Sequence, residues 1–154
     1  MRLKKLKNAR KTMGFFRVHF KIYPPYRIIM DGCFLHNSYK VHFLHLLRRL
    51  MQADIDVAIT RCATHELELI GEATKPTLEA AKRLRLLKCG HQSEALSPAD
   101  CIKQQIGANN SKKYIVASTD KALLSQLRVR NEFLNCCVYA IPPLDCVDDA
   151  VCLR

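Results

Sequence analysis

The sequence predicts an α/β fold: a parallel sheet with helices on both of its faces. Three observations lead there. Short, β-branched apolar runs alternate with stretches of helical spacing along most of the chain. Pro24-Pro25, Asp31-Gly32, Gly71 and Pro98 punctuate the boundaries between those runs. The 154 residues, 49% hydrophobic and 25% charged, amount to one domain large enough to bury a core without disulfides. The mean hydropathy of −0.09 excludes a disordered, collagen-like or membrane-embedded chain.

Tyr26–Met30 reads as a buried strand that ends at Asp31-Gly32. Residues 33–52 carry Phe34, Leu35, Val41, Leu44, Leu47, Leu50 and Met51 at helical spacing, which predicts one helix or two. Asp56–Thr60 is a second strand, followed by a helix over Ala63–Ile70 that Gly71 stops. Lys75-Pro76 restarts a helix with Leu78, Ala81, Leu84 and Leu87 on one face. Cys89–Ser97 is polar and irregular, and Pro98 suits the first turn of a helix over Ala99–Ile106. Tyr114–Ser118 is a third strand, leading through Asp120 into a helix to about Arg128, and Cys137–Ile141 is a fourth. Repeats and low-complexity tracts are absent apart from the basic start.

Charge divides the chain in two. Formal net charge is +11, yet residues 1–30 hold nine basic residues and no acid, leaving 16 basic against 14 acidic residues in 31–154. A cationic arm, residues 1–25, is thus expected ahead of a nearly neutral domain at 26–154. Arg2, Lys4, Lys5, Lys7, Arg10, Lys11, Arg17 and Lys21 are its candidate phosphate contacts, because each neutralised phosphate releases condensed counterions. The arm's aromatics follow the charges instead of opposing them, which favours nucleic acid over a membrane surface. An import signal or a merely solvated end is the competing reading.

No apolar run approaches 18 residues and the N-terminus has no signal-peptide pattern, so a reducing compartment is expected. There the eight cysteines serve as packing residues, metal ligands or thiols. Cys89, His91 and Cys101 fall within thirteen residues of irregular chain, and Cys62 at the end of the second strand is a plausible fourth ligand. A Cys₃His set is a recognised structural zinc site, set here against scattered buried cysteines. Cys136, Cys137, Cys146 and Cys152 read as packing residues, and Cys33, just after Asp31-Gly32, as a buried packing residue with a reactive thiol as the competing reading.

Acids stand where α/β sheets place their ligands, beyond the carboxyl ends of strands. Asp31 follows the first strand, Asp120 the third, Glu66 lies early in the helix after the second, and Asp100 starts the helix before the third. Convergence of the four would require Mg²⁺ or Mn²⁺ to offset their repulsion. Asp100 and Asp120 also sit where helix caps occur.

The ordered motifs MRLKKLKNARKTMGFFRVHF, PYRIIMDGCF, TRCATHELELIG, KCGH, SPADCI and YIVASTDKAL resemble the PIN-domain proteins of the eukaryotic small-subunit processome. The resemblance runs from about residue 1 to 141 and is nearer to the UTP-twenty-three branch than to its nuclease-like sister. It implies a three-layer α/β/α sandwich with a central parallel sheet. It also implies a Cys-Cys-His-Cys zinc site at Cys62, Cys89, His91 and Cys101, and PIN acidic positions at Asp31, Glu66, Asp100 and Asp120. The implied role is a nucleolar assembly factor for 18S rRNA maturation that binds pre-ribosomal RNA and small nucleolar RNA beside other processome proteins. Members of the matching branch are regarded as scaffolds with an altered acidic set. Here all four positions hold carboxylates, which keeps a metal-dependent endoribonuclease as the alternative. Relatives commonly carry a charged tail beyond the last strand, whereas Pro142–Asp149 is acidic and the chain stops at Arg154, so more RNA affinity is expected from the N-terminal arm.

Overall fold

A computed structural model describes residues 3–40, 42–91 and 96–129. The cationic segment is helical: α1 spans Leu3–Phe20. It ends where Lys21 turns into the left-handed region (φ 53°), and beyond that turn Ile22 is buried while Tyr23 stays exposed. Met13 is buried in the domain core, with Phe16 and Phe20 packed against the same cluster. This spacing of three and four residues gives α1 one apolar face, laid against α3.

β1 (Tyr26–Met30) follows, then α2 (Gly32–Ser38) and α3 (Phe43–Met51), so the segment expected as one helix or two is two. β2 (Ile55–Thr60) leads into α4 (Arg61–Ile70), a 3₁₀ turn over Gly71–Thr74 and α5 (Lys75–Ala81). The helix expected to carry Leu84 and Leu87 therefore stops at Ala81. Arg85–Leu87 instead forms a short strand, β3, paired in parallel with Ala58–Thr60 of β2. The open edge of β2 offers backbone partners that outweigh the helical spacing of the leucines. A two-pronged contact from the Arg85 guanidinium to Asp56, at 2.9 and 2.7 Å, holds the register from the side chains. α6 (Pro98–Ile106), β4 (Tyr114–Ala117) and α7 (Lys121–Val129) complete the described chain. The strand expected at Cys137–Ile141 lies outside the described residues.

The strands form one parallel sheet in the order β3-β2-β1-β4. Alternate residues of a strand face opposite ways, and the two faces fill separately. Ile28, Met30, Val57, Ile59, Ile115 and Ala117 join residues of α1 to α5 in one core. Ile29, Ala58, Tyr114 and Val116 join Ile102 and Ile106 of α6 and Leu123 and Leu127 of α7 in the other. The result is three layers, α/β/α. Chain order reverses between β1 and β4, so the crevice for a ligand lies beyond their carboxyl ends.

Candidate functional site

Two side-chain clusters stand at that end of the sheet. The first joins Cys62, Cys89, His91 and Cys101, whose ligand atoms all lie within 4.8 Å of one another. They arrive from three segments of the chain. Thr60 ends β2 and caps α4 by accepting the Ala63 amide at 3.3 Å, which sets Cys62 in the first turn. Cys89 and His91 follow β3, and Cys101 lies in the first turns of α6, which Ser97 caps by accepting the Asp100 amide at 3.1 Å. Cys62 Sγ is 3.1 Å from His91 Nε2 and 3.7 Å from Cys89 Sγ, and Cys101 Sγ is 3.4 Å from Cys89 Sγ.

Tetrahedral zinc with Zn–S bonds of about 2.3 Å sets neighbouring sulfurs about 3.8 Å apart, so the four side chains fit that ion with little movement. Burial pushes the Cys62 and Cys101 thiols up, and the neighbouring thiols raise Cys101 further. Burial acts the same way on Cys89, but hydrogen bonds from Cys101 and Cys62 outweigh it and bring this thiol below its usual value. The structure therefore brings together the whole Cys₃His set expected from the sequence.

The second cluster is acidic. Asp31 follows β1 and is buried, at 6% exposure. Ser118, at the end of β4, donates its hydroxyl to Asp31 Oδ2 at 2.9 Å and accepts the Asp120 amide at 3.0 Å. Asp120 Oδ1 in turn accepts the Ala122 and Leu123 amides at 2.8 and 3.2 Å, capping α7. Burial raises the Asp31 carboxyl above the usual range, opposed by Ser118 and the backbone and reinforced by the charge of Asp120. Glu66 lies on the outer surface of α4, where partial burial and then the Asp31 charge raise its carboxyl too. Asp31 thus lies in the field of Asp120 and its own charge reaches Glu66.

Asp100 is engaged elsewhere. Its carboxylate accepts the Ser97 hydroxyl at 2.7 Å and pairs with Lys103, and these contacts, Lys103 first, pull it below the usual range. It also lines an open groove of about 830 Å³ between α6 and α7, together with Lys103, Gly107 and Ser125. Asp31, Glu66 and Asp120 take no part in lining that groove. Ser118 is the residue the sequence reading passed over. A hydroxyl at a strand end, two residues before an acid, was its only trace.

Of the basic positions, Arg2 lies outside the described residues. Lys4, Lys5, Lys7 and Arg10 belong to α1, and Lys11, Arg17 and Lys21 are exposed at its outer side and end. Among the described residues no helix is long and apolar enough to cross a membrane.

A parallel α/β/α sandwich with carboxylates on both sides of its switch point is shared by several fold families, and a solved relative places this one in the PIN-like class. The structure titled "Structure of the PIN domain endonuclease Utp24" superposes with a TM-score of 0.61 at 30% identity, covering 70% of this chain and 80% of that one. The chain belongs to the Fcf1 family, whose model matches residues 49–141. It is 34% identical over 132 residues to rRNA-processing protein utp23 of Schizosaccharomyces pombe, covering 83% of this chain and 51% of that protein. It is 32% identical over 119 residues to the rRNA-processing protein FCF1 homolog of Homo sapiens, covering 74% of this chain and 58% of that protein. The chain spans between half and three fifths of the length of these curated relatives.

Proposed function

We propose that the chain is an RNA-binding ribosome-assembly factor of the small-subunit processome. It serves 18S rRNA maturation in the nucleolus, contacting pre-ribosomal RNA and small nucleolar RNA beside other processome proteins, without cleaving RNA. The observation that carries the reading is that relatives in two differently named groups of one family are both named rRNA-processing proteins. The acid-free cationic helix at the front of the domain supports it from the physical side. Crosslinking of RNA to this chain in growing cells tests the proposal. Sites on pre-ribosomal and small nucleolar RNA are expected, and their absence overturns it. In solution, affinity falls steeply with salt, and replacing Arg2, Lys4, Lys5, Lys7, Arg10 and Lys11 by glutamine removes most of it.

In this reading Cys62, Cys89, His91 and Cys101 hold one structural zinc ion, which supplies folding energy and no chemistry. The soft sulfur donors and their spacing support zinc over magnesium or calcium.

A second reading is a metal-dependent endoribonuclease, favoured by the buried Asp31 lying in the field of Asp120 and itself acting on Glu66. Asp31, Glu66 and Asp120 would hold Mg²⁺ or Mn²⁺, and Asp100 could join them on leaving Lys103. Such an ion activates water and stabilises a leaving oxygen. Incubation with structured RNA and Mn²⁺, beside Asp31→Asn, separates the readings. No cleavage by the parent, or equal cleavage by both, leaves the assembly factor alone.

A further inference from the structure

α1 has two sides of different character. Met13, Phe16 and Phe20 turn inward, while Phe15 and Val18 on the other side are 51% and 72% exposed. Tyr23, just past the helix, is 59% exposed. Lys11 stands one turn before Phe15 on that outer side and His19 one turn after it. From residue 3 to residue 30 the chain contains no acid. A single exposed apolar side chain is ordinary on any surface. Here a large aromatic ring is kept in water amid positive charge that nothing on its own helix neutralises.

The ring is also held in place. The His19 imidazole packs against Phe15 with centroids 4.3 Å apart and planes tilted by 36°. Phe16 and Phe20 meet it edge-on, with centroids at 6.0 and 5.8 Å. Phe16 and Phe20 are themselves packed on the core. Phe15 is thus oriented by neighbours the fold fixes and loses little freedom when a ligand covers its open side.

We propose that the outer side of α1 is a stacking platform for single-stranded RNA, with an unpaired base on the open side of Phe15 and the adjoining phosphates on Lys11, Arg17 and Lys21. This rests on the RNA-binding reading above and goes beyond it by specifying the form of the RNA and the residue that recognises it. Charge complementarity selects the occupant. A flat π-face joined to phosphates matches a ring among cations, whereas an apolar protein surface would leave those cations unanswered. Duplex RNA keeps its bases stacked inside and could use only the charges.

The test uses the whole chain and fluorescence anisotropy, with a labelled unstructured RNA 12-mer and its duplex, across a salt series. The variants are Phe15→Ala, Phe15→Leu, Phe15→Tyr and Lys11→Gln. Phe15→Ala weakens single-strand binding roughly five- to hundredfold, with duplex binding within about twofold of the parent. Its salt dependence stays that of the parent, since no phosphate contact is lost, whereas Lys11→Gln lowers the slope by about 0.7. Phe15→Leu, which keeps apolar bulk without a π-face, behaves like alanine, and Phe15→Tyr restores binding. The leucine and tyrosine variants carry the comparison if alanine lowers stability.

The platform is overturned if Phe15→Ala binds the single strand like the parent, if it weakens both RNAs equally, or if leucine substitutes fully. A partner protein would then be the occupant of this face. In all three cases a parent chain that binds RNA leaves the function proposed above standing. A parent that binds neither RNA removes both.

Discussion

Removing one ligand of the Cys₃His cluster, by Cys101→Ser, tests the metal reading most directly. Cys101 is fully buried and Cys62 nearly so, so the serine hydroxyl cannot escape to water and the ion loses its fourth donor. An ion held there would act as a cross-link between chain segments 27 and 12 residues apart, Cys62 to Cys89 and Cys89 to Cys101. Treated as loop closures, these contribute about 3.6 and 2.8 kcal/mol, or about 6 kcal/mol together. That is a large part of the ~5–15 kcal/mol by which a domain is stable. At about 3 °C per kcal/mol for this size, the melting midpoint drops by roughly 15–20 °C. The assay is thermal unfolding by circular dichroism of the parent, the variant and the parent dialysed against a chelator, alongside elemental analysis. About one zinc per parent chain is expected, with the dialysed parent melting near the variant. A folded parent containing no metal, or a Cys101→Ser midpoint within two or three degrees of the parent, refutes the reasoning.

Asp31→Asn, in buffer free of Mg²⁺ and Mn²⁺, raises the melting midpoint at pH 7. The folded state holds this carboxyl above its unfolded value of about 3.9, so stability falls as pH rises through that window and the penalty persists above it. The variant's advantage therefore fades as pH drops below about 4, and a lower midpoint at pH 7 would show that the Ser118 hydrogen bond outweighs the burial penalty. Ile29→Ala, at a fully buried position in the middle of the sheet, costs about 2–5 kcal/mol by chemical denaturation, and a loss under 1 kcal/mol would contradict the packing described. Arg85→Ala costs no more than about 1 kcal/mol, because both partners of its ion pair are more than a third exposed and solvent screens them. A loss above 2 kcal/mol would mean that β3 depends on this pair.

Much of the sandwich was legible because buried parallel strands write themselves as runs such as RIIM and YIVA, bounded by turns. β3 was not. Its three residues sit among leucines at helical spacing, and only the unpaired edge of β2 decides their conformation. The charge of the leading segment was plain, but its packing was overlooked, although Met13, Phe16 and Phe20 carried the inward spacing all along. The convergence of Cys62, Cys89, His91 and Cys101 was readable from donor chemistry, since sulfur and imidazole crowded into a polar loop suit a metal ion. The acids were harder to read. Strand ends located Asp31 and Asp120, yet Ser97-Pro98-Ala99-Asp100 followed by Lys103 spells a capped helix start, and the structure uses it as one.

The two clusters share elements, and that sharing has a measurable consequence. Cys62 and Glu66 are four residues apart on α4, which puts them on the same side of the helix one turn apart. Whatever anchors Cys62 therefore helps to fix Glu66 within reach of the Asp31 charge. Cys33 reports on this rim. Its side chain reaches solvent but is partly surrounded by protein, and that partial burial followed by the charges of Asp31, Glu66 and Asp120 pushes its thiol above the usual value, which slows alkylation at neutral pH. Asp31→Asn removes the largest of those charges and speeds iodoacetamide labelling of Cys33, with the labelled site identified by mass spectrometry. Chelation should speed it as well, at temperatures below the onset of global unfolding, because the first turn of α4 loses its anchor and carries Glu66 away. The influence should run one way, since Asp31 contacts Ser118 and the backbone, not the sulfurs, so Asp31→Asn leaves the metal content unchanged. A Cys33 labelling rate unaffected by chelation until the whole domain melts would show that the metal cluster stabilises the fold without positioning the acids.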